Sequence, residues 1–488
     1  MHVGETIDRA LAETPARTAL VVDGEQTSYA ELDLLAQRCA TALRGAGVGA
    51  GDYVAVVDQG GPLAVASILA AARLGAAAAQ MNPDLKVGEM AALCRLVGCT
   101  VGIAGAGYAD KLREALGGPV LTRSDMADAD AEGPPRHTPI EDDSTGLVLF
   151  SSGSTGLPKP VYIRHRNVGD RLTNYGTAAA LEVDPRVDMI SVPLFHIGGT
   201  LGLLITLYSG RATVILPRFD AGAWLRAVEE FRVNQTFVVP TMLRRILDHP
   251  DFAVRDITSL RSLSYGAAPA PPELINRAMA ALPGVDFSNT FGQTETLGAY
   301  AALSPDDHRA GRKLDSVGRP FPGVEVRVVD VLSREDVGVG QVGEAVVRSA
   351  QNITSEWMAT GDLVQFDEDG YLYVRGRLKD TINRGGEKFG PIEIETAIRA
   401  LPGVVEVAVA GVPDDELGER VGALIVGDGS VGADEVRAHC RGLVARYKVP
   451  EVIVVVDEMP YNRYGKLPRA AVVEAILSRT GTRGGLSG

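Results

Sequence analysis

The chain has 488 residues, 45% of them apolar and 23% charged, which is ordinary for a globular protein and too long for one core. Its formal net charge of −14 argues against nucleic acid or an anionic membrane as a bulk partner, though not against a small anionic ligand. The four cysteines, Cys39, Cys94, Cys99 and Cys440, contain no C-x-x-C pair, so neither a zinc site nor a disulfide framework is expected, and reduced thiols in a cytoplasmic protein are. Glu5, Asp8 and Arg9 precede any apolar run, unlike a signal peptide.

In chain order, "TALVVDGEQTSYAEL" predicts a strand, an Asp-Gly turn and a second strand. Ser28 and Glu31 form a capping box that starts a helix through about Arg44, with Leu32, Leu35, Cys39 and Leu43 on one face. "GAGVGAGD" ends it and "YVAVV" at 53–57 is a buried strand. The Ala-rich stretch 62–81, broken by Arg73, predicts a buried helix entering a strand and not a membrane span. Further strands are expected at "TVGIAG", "GLVLF", "DMISVPLF", "RATVILP", "NQTFVVP" and "SLRSLSYG", mostly with helical stretches between them. This alternation argues for an α/β fold of layered subdomains with mostly parallel sheets. After about residue 376 the texture changes to a glycine-rich, charged segment. A helix from about Ile392, two strands, a helix around 433–446 and the strand "EVIVVVDEM" then form a small α+β unit. The expected domains are 1–378 and 379–479, with a hinge at Lys379 and a disordered tail at 480–488.

Five stretches carry chemistry. "FSSGSTGLPKP" at 150–160 offers backbone N–H groups, hydroxyls and the Lys159 ammonium, which suits phosphate oxygens. It matches neither G-x-x-x-x-G-K-[ST] nor G-x-G-x-x-G, so alone it does not separate a phosphate loop from a surface turn. "NTFGQTE" at 289–295 sets an aromatic, hydroxyls and a carboxylate together after a predicted strand. "WMATGDL" carries Asp362, "VRGRLKD" carries Arg377, and "PYNRYGKLPR" carries Lys466 in a glycine-containing loop.

In this order, and over nearly the whole chain, these motifs resemble the acyl-adenylate-forming superfamily of acyl-CoA synthetases, peptide-synthetase adenylation domains and luciferases. The resemblance implies a mobile C-terminal domain and ATP, AMP, Mg²⁺ and coenzyme A as ligands. Ser151, Ser152, Gly153, Ser154, Thr155, Gly156 and Lys159 would hold the β- and γ-phosphates. "YGAAP", with Gly266, Ala267, Ala268 and Pro269, would meet the adenine edge, with Asn289 and Gly292 nearby and Phe291 stacked on the adenine face. Thr294 would touch the α-phosphate, and Glu295 with Thr155 would hold Mg²⁺, a hard cation that takes oxygen ligands. Asp362 would accept both ribose hydroxyls, and Arg377 would brace ribose and phosphate. Lys466 would stabilise charge at the α-phosphate during carboxylate attack. Gly385 and Gly386 would leave room for pantetheine, and Arg463 would contact coenzyme A phosphates.

The motif "PLFHIGG" has His196 where domains for α-amino acids place an aspartate, so an amino acid substrate is not expected. His196 would gate a pocket including Gly198, Gly199, Thr200, Val239, Ser264, Gly266, Ala267 and Gly292, whose small and apolar character suits a bulky, uncharged aryl or polycyclic acid.

Two departures stand out. Pro160 follows the loop lysine where the family has glycine, either stiffening the loop or beginning the strand "VYIRH". The segment "RSAQNITSE" before Trp357 is short, and a shortened wall would open the site or alter the acyl pocket. The expected activity is an ATP-dependent acid–CoA ligase. The alternatives are an enzyme that thioesterifies an adenylate made by an upstream enzyme, an adenylation enzyme that loads a carrier protein, and a non-catalytic sensor of adenylates or thioesters. A monomer and a homodimer are both compatible with the sequence.

Overall fold

The computed structural model describes residues 1–127, 129, 140–151, 157–176, 185–462 and 467–480. Ser28 accepts from the Glu31 amide while Glu31 accepts from the Ser28 amide, and helix Tyr29–Gly45 begins there as its capping box predicts. Leu32, Cys39 and Leu43 are buried on its inner face, with Leu35 partly so. The Ala-rich stretch becomes helix Pro62–Arg73 and strand Ala77–Gln80, both buried. Arg73 does not break the pattern, because its guanidinium pairs with Asp33 at 2.8 Å inside the protein. No helix among the described residues is long and apolar enough to cross a membrane.

The chain folds as two compact units: residues 1–325 with 348–357, and 326–347 with 358–488. The first unit holds two sheets. One has six strands, parallel from Val120–Leu121 through Val101–Ala104, Tyr53–Val57 and Ala77–Gln80 to Thr145–Ser151, with Lys159–Arg164 added antiparallel at the edge. The other has nine strands around a parallel centre of Thr18–Val22, Ala212–Ile215, Val187–Ile190, Gln235–Val238, Ser262–Gly266 and Asp286–Gln293. Parallel sheets with helices between their strands bear out the expected α/β class, and such sheets present ligand loops at the carboxyl ends of their strands.

In the second unit, strands Gly343–Arg348, Met358–Phe366 and Leu372–Arg377 pair antiparallel. Strands Val404–Asp414 and Gly418–Gly427 form a long antiparallel pair joined by parallel Val452–Val456. Alternation along Val404–Asp414 sends Val407 and Val409 toward helices Pro391–Arg399 and Ala433–Arg441, and Ala408, Ala410 and Val412 toward helix Arg469–Thr480. The helix expected around 433–446 stops at Arg441, and a separate turn takes Arg446–Lys448 beyond it.

One buried histidine links the N-terminus to this architecture. His165, fully buried, opens helix His165–Gly176, and its Nδ1 accepts the Val3 N–H at 3.2 Å. Gly146 makes room for it, since a Cβ there would lie 2.6 Å from Nδ1. Burial, reinforced by the neighbouring His2, pushes the imidazole down to about 4 from an ordinary 6.5. A depressed histidine binds fewer protons folded than unfolded, so its neutral form stabilises fully above pH 6.5 and that contribution is lost as pH falls toward 4. The linkage amounts to ~3 kcal/mol. Urea titrations of wild type and His165→Asn are expected to converge over this window, the difference between them shrinking as pH falls. Parallel profiles would contradict the assignment.

Candidate active site

The hydroxyl-rich motif begins and ends in paired antiparallel strands. Its flanking strands close on the pair Ser151 and Lys159, and Phe150 faces Pro160 one step further along. Ser152, Gly153, Ser154, Thr155 and Gly156 lie outside the described residues. Pro160 is the second residue of the edge strand Lys159–Arg164, where proline's missing N–H is tolerated. Of its two readings, the strand start is the one the fold realises.

The "YGAAP" and "NTFGQTE" motifs meet because strands Ser262–Gly266 and Asp286–Gln293 are parallel neighbours in register. "NTFGQTE" does not follow a strand, as its sequence suggested. Asn289–Gln293 are the end of one, and Thr294–Thr296 form the turn that leaves it. The glycines have steric reasons for being there. A Cβ on Gly266 would sit 2.2 Å from the Thr290 carbonyl oxygen, and one on Gly292 would sit 2.0 Å from that of Gly298. Ala267 takes a left-handed backbone with φ 63°, a conformation that is rare for alanine and common where function over-determines the chain. Ala267 and Pro269 are exposed, and Ala268 is half-buried. Phe291 is half-buried and meets Tyr300 edge-on, with ring centroids 5.2 Å apart, and the Asn289 amide donates to the Ser316 carbonyl at 3.3 Å.

Behind this rim, the Tyr265 hydroxyl lies 2.9 Å from His308 Nε2, and His308 Nδ1 lies 2.7 Å from the Ser304 carbonyl. A carbonyl can only accept, so Nδ1 carries the proton and Nε2 accepts from Tyr265. Burial lowers the His308 pKa and raises that of Tyr265, which keeps both groups neutral. Tyr265→Phe leaves Nε2 buried without a donor and is expected to cost about 1–3 kcal/mol in urea denaturation. An unchanged midpoint would contradict this.

Glu295 is half-exposed and shares a groove with Ser151, Lys159, Arg164, Asp143 and Ile353. The short segment before Trp357 is folded into this same unit. Ile353 N–H donates to the Glu295 carbonyl at 3.2 Å, Asn167 donates to the Asn352 carbonyl at 2.8 Å, and Arg171 donates to the Gln351 side chain at 2.8 Å. Arg348 completes the arrangement by pairing bidentately with Glu325 and lying 4.7 Å over the Trp357 ring. None of these partners carried a sequence signal, apart from the unusual shortness of the segment.

In the strip expected to hold the acyl group, His196 occupies the position before helix Ile197–Tyr208 without a side-chain capping bond, and its half-buried ring lies 4.6 Å from that of Phe195. Gly198 is exposed. Gly199 is buried, where a Cβ would meet the Pro193 carbonyl at 2.2 Å, and the Thr200 hydroxyl donates to the Leu194 carbonyl. Val239 is buried and Ser264 half-buried.

In the second unit Asp362 and Arg377 face each other across adjacent strands and form an ion pair at 2.7 Å. The carboxylate is almost wholly buried, with its side chain 2% exposed, and burial raises its pKa while Arg377 pulls the other way. Lys379 is exposed in the turn Leu378–Asp380. Gly385 and Gly386, at φ 58° and 95°, are the two-residue loop of hairpin Ile382–Arg384 and Glu387–Phe389, a turn that requires positive φ at both positions. Arg463, Lys466 and residues 481–488 lie outside the described residues.

One groove brings Ser151 and Lys159 together with the Thr-Glu turn, beside a glycine-hinged strand end, and so offers a hydroxyl, an ammonium and a carboxylate that can hold phosphate oxygens and a cation. Family comparison agrees: residues 7–356 match the AMP-binding enzyme family and residues 393–466 its C-terminal domain, and the chain belongs to this family, that of the AMP-forming acid–CoA ligases. It is 34% identical to a feruloyl-CoA synthase of Amycolatopsis sp over 94% of this chain and 96% of that protein. It is 32% identical to an indoleacetate–CoA ligase of Aromatoleum aromaticum over 98% and 99%. Among solved structures, the o-succinylbenzoate CoA synthetase of Bacillus subtilis in complex with ATP and magnesium matches at TM-score 0.82 and 26% identity, over 96% of this chain and 98% of that one.

Proposed function

We propose that the protein joins a bulky, uncharged aryl or polycyclic carboxylic acid to coenzyme A in two steps. The carboxylate attacks the α-phosphorus of ATP, releasing pyrophosphate and forming an acyl-adenylate. The coenzyme A thiol then attacks the acyl carbonyl and AMP leaves. The supporting observation is the convergence of the Ser151/Lys159 hairpin and the Glu295 turn on one groove, beside the adenine loop. The relatives that act on feruloyl and indoleacetate groups support an aryl acid.

Lys159 and the loop before it hold the outer phosphates, and Thr294 touches the α-phosphate. Glu295 supplies one carboxylate toward Mg²⁺, and the ion neutralises phosphate charge when bound. A single protein carboxylate with phosphate oxygens is the usual way that Mg²⁺ is held, and Glu295 stands half-exposed as this requires. Asp362 and Arg377 serve the ribose, and Lys466 stabilises the charge that develops at the α-phosphate. Lys379 is the hinge of a small C-terminal domain, residues 379–479, that turns between the steps. Gly385, Gly386 and Arg463 then receive coenzyme A. His196 gates the acyl strip.

Pro160's place in an edge strand favours a complete ligase over an enzyme limited to thioesterification. The test is pyrophosphate release from ATP and Mg²⁺ with each of a panel of aryl acids, followed by addition of coenzyme A or a pantetheinylated carrier protein. Acid-dependent pyrophosphate, then acyl-CoA, is expected. Transfer to the carrier alone would favour a carrier-loading enzyme, and binding without turnover a sensor.

A further inference from the structure

Strands Gln235–Val238, Ser262–Gly266 and Asp286–Gln293 set Phe237 opposite Ser264, and Ser264 opposite Ser288. Residues in register on parallel neighbours share a face, about 4.8 Å apart, so the three side chains stand in one row. On the other face, Val238, Leu263, Tyr265 and Phe287 are at most 2% exposed. Phe237, Ser264 and Ser288 are only half-buried. Central parallel strands are normally covered on both faces, so this row is a trough in an otherwise closed layer. The helix that lies beside it carries Gly198 and Gly199 in its first turn, and a Cβ on Gly198 would still stand 3.8 Å from the Phe237 ring. The row ends two residues before Gly266 on one strand and three before Phe291 on the next, so it leads inward from the reactive rim.

The hydroxyls differ in how they are used. Thr236 donates to the Met189 carbonyl and Thr290 to that of Tyr265. Among the described residues, neither the Ser264 nor the Ser288 hydroxyl has a hydrogen-bond partner. Two neighbouring hydroxyls, each able to donate and accept, therefore face the trough beside an aromatic ring.

We propose that Ser264 and Ser288 are specificity-determining residues that read a hydroxyl, or another uncharged hydrogen-bonding substituent, on an aryl acid whose ring lies against Phe237. This rests on the ligase reading above, since it takes the trough as the acyl site. A site built to hydrogen-bond a substituent rejects the analogue that lacks it, because its own polar groups are then left dry. Two serines that were merely solvated would give no such discrimination.

The test uses matched pairs of stable adenylate analogues, 5′-O-sulfamoyladenosine conjugates of benzoic, arylacetic and cinnamic acids with and without a ring hydroxyl, and calorimetric affinity as the readout. In at least one pair the hydroxylated analogue is expected to bind wild type about tenfold tighter or more. In Ser264→Ala/Ser288→Ala the ratio should fall to within about twofold through loss on the hydroxylated side. A wild-type ratio near one in every pair overturns the proposal without any variant, as does a ratio that survives in the folded double variant. Acyl-CoA formation from the free acids, ATP and coenzyme A is measured separately. Discrimination without turnover would fell the ligase reading and spare the pocket, whereas turnover without discrimination would do the reverse.

Discussion

Gly292→Ala is expected to destabilise the protein by about 3 kcal/mol or more and to abolish acyl-CoA formation. The added Cβ would lie 2.0 Å from the Gly298 carbonyl oxygen and 2.7 Å from the Ala299 Cα. Both are backbone atoms, so no side chain can rotate away, and strand Gly298–Leu303 would have to part from Asp286–Gln293 where the register already shifts. Phe291 and the Thr294–Glu295 turn are attached to that point and would move with it. Gly386→Ala is the control for stability alone: its φ of 95° is strained for alanine, but nothing lies within 4 Å, so only the smaller backbone penalty of about 1–2 kcal/mol applies to folding. A Gly292→Ala protein that unfolds at the wild-type urea concentration and turns over normally would refute the steric account.

Asp362→Ala should raise the KM for ATP by about 10²–10⁴-fold, since hydrogen bonds to a charged group contribute roughly 1.5–3 kcal/mol each and the ribose offers two hydroxyls. The carboxylate is buried against Arg377, so the substitution also removes an ion pair, and stability alone cannot separate binding from structure. The urea midpoint and the ATP KM of Asp362→Ala are therefore measured together. If Asp362 served only to neutralise Arg377, the variant would lose stability while the folded protein kept the wild-type KM for ATP. A ribose-binding carboxylate predicts a raised ATP KM in the folded variant.

Local signals carried the architecture well. The Ser28/Glu31 box, the apolar periodicity of helix Tyr29–Gly45 and the Ala-rich run at 62–80 are all set by near neighbours, and each appears where its residues predict. The motif residues of the first unit could be singled out by their pattern, but the packing reasons for their residue types could not. Gly266 and Gly292 read as members of the expected adenine rim and acyl strip, and only the register of neighbouring strands shows that backbone contact excludes a Cβ. Gln351, Asn352 and Ile353 read as the remnant of a missing wall. Their partners Arg171, Asn167 and Glu295 lie far off in sequence, so their role depended on tertiary contacts. Phe237 and Ser288 were legible in principle, because period-two alternation puts them on the face of Ser264. Without the strand order, nothing brought the three together.

The central claim is that one chain both activates an acid and transfers it. The direct measurement is mass-spectrometric acyl-CoA formation from aryl acids supplied free with ATP, Mg²⁺ and coenzyme A, or as preformed adenylates with coenzyme A alone, with AMP and pyrophosphate counted alongside. Acyl-CoA from both supplies is predicted, with one AMP and one pyrophosphate per thioester from the free acid. Acyl-CoA from the adenylate alone, with no acid-dependent pyrophosphate, would contradict the account.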